Sequence, residues 1–212
     1  MSRSTRRQRL GGNTLDMKRL FPEKEGVDYS LLKMTPEGVY SITRRADGQR
    51  ILAAMKSVIG GTRKKTITDV TGNVGGDTIL FGIHFKHVHA IEMNPENYDA
   101  LQNNVGVFGL SNVELHQGDS TKLYKWKTDV LYADPPWGGP EYKEKEELDL
   151  YLGDVRVDEW LQTILKKSWR PKYVFMKLPR NYNFDRLTEL PNVKDIHHFQ
   201  IRGYDLIGLS IE

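Results

Sequence analysis

The sequence predicts an α/β fold, with a mostly parallel central sheet covered by helices on both faces and an antiparallel hairpin at the carboxyl end. Three observations predict it. From Thr66 onward, short β-branched runs alternate with segments of helical period. A glycine-rich loop follows the first of those runs. The chain closes on two strand-like runs, "VKDIHHFQ" and "YDLIGLSI", joined through "IRGY".

Residues 1–48 read as an amino-terminal extension, basic at its start, and residues 49–212 as one domain of this fold. The early part is polar with scattered apolar anchors. A helix is predicted from Asp47 to about Ile59, where Gly60 and Gly61 suit a C-cap. "TITDVT" (Thr66–Thr71) and "HVHAIEM" (His87–Met93) read as buried strands, and Pro95–Gly109 as a helix with proline at its first position. "NVELHQG" and "TDVLYADPP" read as two further strands. The charged segment "EYKEKEELDLYLGD" follows, then a helix in "VDEWLQTILKKSW", a strand in "KYVFMKLP" and a short helix near "NFDRLTEL".

A chain of 212 residues supports one sizeable core. It has no cysteine, which excludes disulfides, thiolate metal ligands and a cysteine nucleophile. No apolar run approaches the ~20 residues of a membrane span, and the start, "MSRSTRRQRLGGN", is basic without a following hydrophobic stretch. Neither signal peptide nor membrane anchor is expected. The expected location is intracellular, nuclear or cytoplasmic, and monomer is the default state. Formal net charge is +3, yet four arginines fall in the first ten residues, and Arg63, Lys64 and Lys65 form a second basic patch. Such clustering favours a phosphate-bearing partner.

The loop "DVTGNVGGDT", Asp69 to Thr78, allows close backbone approach and offers free N–H groups at a helix start, which suits a nucleotide-like cofactor. Its spacing is not that of the dinucleotide fingerprint, so a nicotinamide dehydrogenase is disfavoured. Glu92 closes the next strand, where an acid can take both hydroxyls of a ribose. Gly118, Asp119 and Ser120 follow the third strand.

In "ADPPWGGPEY", Asp134 ends the fourth strand, at the sheet edge where ligands of such folds gather. Pro135 and Pro136 stiffen the turn and hold Asp134 toward extended geometry. Its carboxylate and nearby carbonyls become fixed acceptors, fit to grip an exocyclic amine. The indole of Trp137 offers a flat face for a base.

These motifs resemble a known family. The acidic-or-polar, Pro, Pro, aromatic tetrapeptide is similar to that of S-adenosylmethionine-dependent methyltransferases acting on nucleobase amines. "PPWGGPEY" with "DVTGNVGGDTI", "EGVYSIT" and "LPRN" resembles, from about Lys33 to the carboxyl end, the trimethylguanosine synthases, which methylate the N2 amine of 7-methylguanosine RNA caps. The resemblance implies a Rossmann-like class I methyltransferase fold, S-adenosyl-L-methionine as cofactor and 7-methylguanosine-capped RNA as partner. It implies cofactor contacts for Ser41, Thr43, Asp69, Thr71, Gly75, Gly76, Glu92, Met93, Asp119, Ser120 and Asp134. Asp134, Pro135, Pro136 and Trp137 would line the transfer point, with Lys33, Arg180 and Asn181 joining Trp137 on the cap. Three positions depart from the family: Asp134 where serine is frequent, Asn73 where glycine is usual and Glu92 where aspartate is usual.

The rival readings are an N6-adenine methyltransferase, favoured by the aspartate of "DPPW", and an RNA-binding module that retains the fold without catalysis. His87 and His89 lie two apart on a strand and so share a face, but no carboxylate and histidine set completes a metal site in the sequence, and no metal is expected.

Overall fold

The computed structural model describes residues 9–10 and 13–212, with side chains from Leu15 onward except Pro140. Most of the basic start of the extension therefore lies outside the described residues. In chain order the elements are β1 (Arg9–Leu10), β2 (Asn13–Thr14), α1 (Met17–Leu20), α2 (Pro36–Ser41), α3 (Arg45–Ile59), β3 (Thr66–Asp69), α4 (Gly76–His84), β4 (His87–Glu92) and α5 (Pro95–Val107). There follow β5 (Val113–Gln117), α6 (Ser120–Leu123), β6 (Val130–Ala133), β7 (Tyr151–Leu152), β8 (Val155–Arg156), α7 (Val157–Leu165), β9 (Tyr173–Leu178), α8 (Asp185–Thr188), β10 (Val193–Ile201) and β11 (Tyr204–Ile211).

The main sheet has seven strands in the order β10-β11-β9-β6-β3-β4-β5. Strands β3, β4, β5, β6 and β9 are parallel, and β11 and β10 add an antiparallel hairpin. The fold class expected from the sequence is the one observed. From β3 the chain builds outward through β4 and β5, then returns to place β6 on the other side of β3. That reversal opens a crevice beyond the carboxyl ends of β3 and β6, the usual ligand position in open α/β sheets.

Local chemistry fixes the element ends. The Asn94 side chain caps α5 by accepting from the Glu96 and Asn97 N–H groups, with Pro95 in the first turn. Gly60 ends α3 with φ 70°, as the sequence suggested. The Thr35 hydroxyl caps α2 by accepting from the Gly38 N–H at 2.9 Å.

The 48/49 point lies inside α3, and part of the described segment before it packs on the main domain. Phe21 and Leu32, both fully buried, join Leu101 and Phe108 in one apolar cluster with Ile42 and Val74. The charged segment after Trp137 carries more structure than its composition suggested. Leu148, Leu150 and Leu152 are buried against Trp160 and Leu161 of α7, and β7 pairs with β8 as a small hairpin.

Candidate active site

A cavity of about 880 Å³ occupies the crevice. The loop from Val70 to Gly76 forms one wall. Asp69 is fully buried beneath it, accepting from the Thr71 N–H at 3.1 Å and from the Thr78 hydroxyl at 2.6 Å. Burial pushes the Asp69 carboxyl up to about 7, with the Thr78 hydroxyl acting in the opposite sense. Asn73 adopts φ 48°, the left-handed region that asparagine tolerates. Its N–H donates to Glu92 Oε2 at 2.7 Å, while the Asn94 N–H donates to Oε1 at 2.7 Å. Glu92 is thereby fixed in the cavity wall by one backbone donor on each oxygen, and burial holds its carboxyl above the usual range.

Two glycines let the walls close. A Cβ on Gly76 would sit 2.7 Å from Ile42 Cγ1 and 3.1 Å from the Thr43 carbonyl, so the turn after α2 lies directly on the start of α4. A Cβ on Gly72 would sit 2.9 Å from Leu101 Cδ2.

At the other end of the cavity the Asp134 N–H donates to the Thr71 hydroxyl at 2.8 Å, tying the two loops together. The Lys177 ammonium, reaching from β9, donates to Asp134 Oδ2 at 2.7 Å and to the Thr43 hydroxyl at 3.1 Å. The Thr43 hydroxyl donates in turn to Asp77 Oδ2 at 2.6 Å, which also accepts from the Tyr132 hydroxyl at 3.1 Å. Burial pushes the Asp134 carboxyl up to about 6, and Lys177 restrains the rise. Burial pulls the Lys177 ammonium down, but Asp134 and Asp77 more than offset it and leave it above the usual lysine value. The same ammonium lies 5.0 Å from the Tyr204 ring centroid and 5.6 Å from that of Trp137. Trp137 meets Tyr142 edge-on at 5.0 Å.

The arrangement joins a glycine loop, a strand-end acid and a fixed carboxylate beside an indole, and sequence comparison assigns it. The family model described as RNA cap guanine-N2 methyltransferase matches residues 64–203. The chain belongs to that family. The family is one of methyltransferases, and the chain has the class I methyltransferase fold. An uncharacterised protein of Acanthamoeba polyphaga mimivirus is 35% identical over 72% of this chain and 61% of its own length. The trimethylguanosine synthase of Saccharomyces cerevisiae is 29% identical over 81% of this chain and 55% of its length. This chain thus spans less than two thirds of either relative. Among solved structures, a 16S rRNA guanosine-N2 methyltransferase of T. thermophilus, in complex with AdoMet and guanosine, has a TM-score of 0.62 at 13% identity, covering 78% of this chain and 43% of that one. An RNA methyltransferase from Salinibacter ruber, in complex with S-adenosyl-L-homocysteine, has a TM-score of 0.55 at 14% identity, covering 77% and 91%. At these identities the likeness concerns the fold.

Of the residues expected from sequence, Ser41, Thr43, Thr71, Gly76, Glu92, Met93, Asp119, Ser120, Asp134, Pro135, Pro136 and Trp137 all line the cavity. Asp69 and Gly75 instead lie behind its wall, where Asp69 staples the loop and Gly75, at φ 100°, starts α4. Lys33, Arg180 and Asn181 are not in the lining. Lys33 is held through its backbone by Asn104, with its side chain exposed. Asn181 donates to the Tyr142 and Lys145 carbonyls at 2.8 and 2.9 Å, so it shapes the loop after Trp137 rather than facing the cavity.

Sequence reading missed Lys177, Asp77, Tyr40 and Tyr142, all of which line the cavity. The signal for Lys177 was present: it is a lone charge in the apolar strand "YVFMKL". Tyr40, 70% exposed, stands in the lining as an unpacked aromatic.

Proposed function

We propose that this protein transfers methyl from S-adenosylmethionine to the exocyclic N2 amine of a 7-methylguanosine cap on RNA. The observation that carries the reading is Asp134 beside Trp137, its carboxylate held by Lys177 and its backbone N–H by the Thr71 hydroxyl, in the same cavity as the doubly anchored Glu92. The fit to S-adenosylmethionine rests on this donor set. Glu92 suits the ribose hydroxyls, Thr71, Gly72 and Gly76 of the lining suit the amino-acid portion, and Asp119 and Ser120 suit the adenine side. When bound, S-adenosylmethionine supplies a methyl carbon made electrophilic by its sulfonium.

The protein's own part is positioning. Asp134 accepts from the substrate amine and aims the nitrogen lone pair into the cavity, and holding the reactants at attack distance supplies most of the acceleration. Once the nitrogen is alkylated its proton leaves readily, and Asp134 is the acceptor in place. Trp137 and Tyr142 offer aromatic surface to the base. A 7-methylated guanine carries positive charge, and stacking it on an indole adds a cation–π contribution on the order of 1 kcal/mol.

One observation favours a second reading. Asp134 stands where the family often has serine, and aspartate at this place is common among adenine-N6 methyltransferases. Binding tests the cap reading. Titrating the protein with 7-methylated and unmethylated cap dinucleotides, with S-adenosylhomocysteine present, is expected to show tighter binding of the methylated form. Equal affinity for both would remove the basis for cap recognition through Trp137.

A further inference from the structure

We propose that His87, His89 and Glu114, with His116 beside them, form a binding site for a transition-metal dication, with zinc the best match, on the face of strands β4 and β5. Sequence spacing put His87 and His89 on one face but offered no third ligand. The sheet register supplies it. His89 is the Cα partner of Glu114 in the parallel β4–β5 pair, and Ile91 is the partner of His116. Alternation along each strand then turns all four side chains to the same side.

The donor atoms converge. The Glu114 carboxylate lies 3.6 Å from His87 Nε2, 3.5 Å from His89 Nδ1 and 3.5 Å from His116 Nε2. His89 Nδ1 is 3.2 Å from His116 Nε2. The two contacts to Glu114 Oε2, from His87 and His89, are longer than a good hydrogen bond of about 2.7–3.2 Å. They are close to the ~3.3–3.4 Å edge of a tetrahedron whose centre is about 2.0–2.1 Å from each donor, the zinc–imidazole and zinc–carboxylate length. The three donor atoms of His87, His89 and Glu114 all fall within 4.8 Å of one another.

Two imidazoles and one carboxylate, without thiolate, form a donor set suited to zinc or a neighbouring divalent metal, with the fourth position left to water or to a shift of His116. Trp126 backs the cluster, with its ring 4.8 Å from His89 and 4.7 Å from His116 and its N–H donated to the Thr68 hydroxyl at 3.0 Å. An ion here would pin β5, the edge strand of the main sheet, to β4. It would also brace the two strands that lead to Glu92 and Asp119 in the cavity wall. This is a structural role, separate from methyl transfer.

The test is to strip tag-free protein with chelator, add zinc chloride, and measure bound zinc by calorimetry and elemental analysis. The variants His89→Ala and Glu114→Gln are measured alongside. Cobalt(II) provides an optical readout, since four-coordinate cobalt absorbs strongly in the visible range. The expected result is one zinc per chain, a tetrahedral cobalt spectrum, and affinity lowered in both variants by more than the roughly 10–100-fold that loss of an outer-sphere partner costs. Glu114 is an exposed side chain, so Glu114→Gln keeps the fold intact if His89→Ala does not. Absence of stoichiometric zinc, or zinc uptake unchanged in Glu114→Gln, overturns the proposal.

Discussion

Lys177 and Asp134 form an ion pair inside the protein, with Nζ to Oδ2 at 2.7 Å and side chains only 9% and 17% exposed. The pair joins β9 to the turn after β6 at the point where the substrate amine is proposed to bind. Removing one partner strands a charge out of water, which typically costs about 3–5 kcal/mol. Lys177→Met is therefore expected to lower unfolding free energy by about 3 kcal/mol. Adding Asp134→Ser should recover much of that loss. Chemical denaturation of the two singles and the double closes the cycle, and strict additivity would contradict the pairing.

In the proposed reaction the pair also sets the pH dependence. Asp134 must be ionised to accept from the amine, and its carboxyl is raised to about 6 by burial. The rate should rise with pH through an apparent midpoint near that value and then level. Lys177 opposes the rise, so Lys177→Met should move the midpoint upward. A pH–rate profile unaffected by this substitution would separate Lys177 from Asp134.

Stability should carry a second pH signature. Asp69 has its folded value raised to about 7, above the 3.8 of an exposed aspartate, because of burial. The folded state then holds a proton that the unfolded state has released, so the contribution is full below about pH 4 and lost as pH rises toward 7. Asp69→Asn should flatten this part of the stability profile. Urea melts at pH 5 and pH 8 check it.

Trp137→Ala is expected to abolish methylation of the cap while cofactor affinity stays within a few fold, read by calorimetry with S-adenosylhomocysteine. Loss of both together would make Trp137 a packing residue, a role its contacts with Tyr142 and Tyr204 also permit.

Gly76→Ala places a methyl 2.7 Å from Ile42 and 3.1 Å from the Thr43 carbonyl. Overpacking of this kind costs about 1–3 kcal/mol. The strain falls on the segment whose Thr43 hydroxyl accepts from Lys177, so thermal stability and turnover should drop together. An unchanged melting temperature would show that the turn after α2 is free to move.

Much of this site was legible because its residues sit at strand ends, where motif and topology coincide. The glycine loop follows β3, Glu92 closes β4, Asp119 caps the helix after β5, and Asp134 follows β6. What escaped reading depends on long-range packing. Lys177 acts on Asp134 across neighbouring strands and on Thr43 from far along the chain, and no local pattern encodes those contacts. Asp69 and Asn181 carry motif positions but serve as staples, a distinction set by burial and not by spacing. The hairpin at residues 151–156 was hidden by the charges around it, although alternate leucines at 148, 150 and 152 mark its buried side.

Cap guanine-N2 methylation is tested most directly by incubating the protein with S-adenosylmethionine and, separately, a 7-methylated cap dinucleotide, an unmethylated cap and an adenine-containing oligonucleotide, then following product mass. The expected result is a gain of one or two methyl groups on the 7-methylated cap alone, placed on guanine N2 by fragmentation. Methyl gain on the adenine oligonucleotide with none on either cap would contradict it.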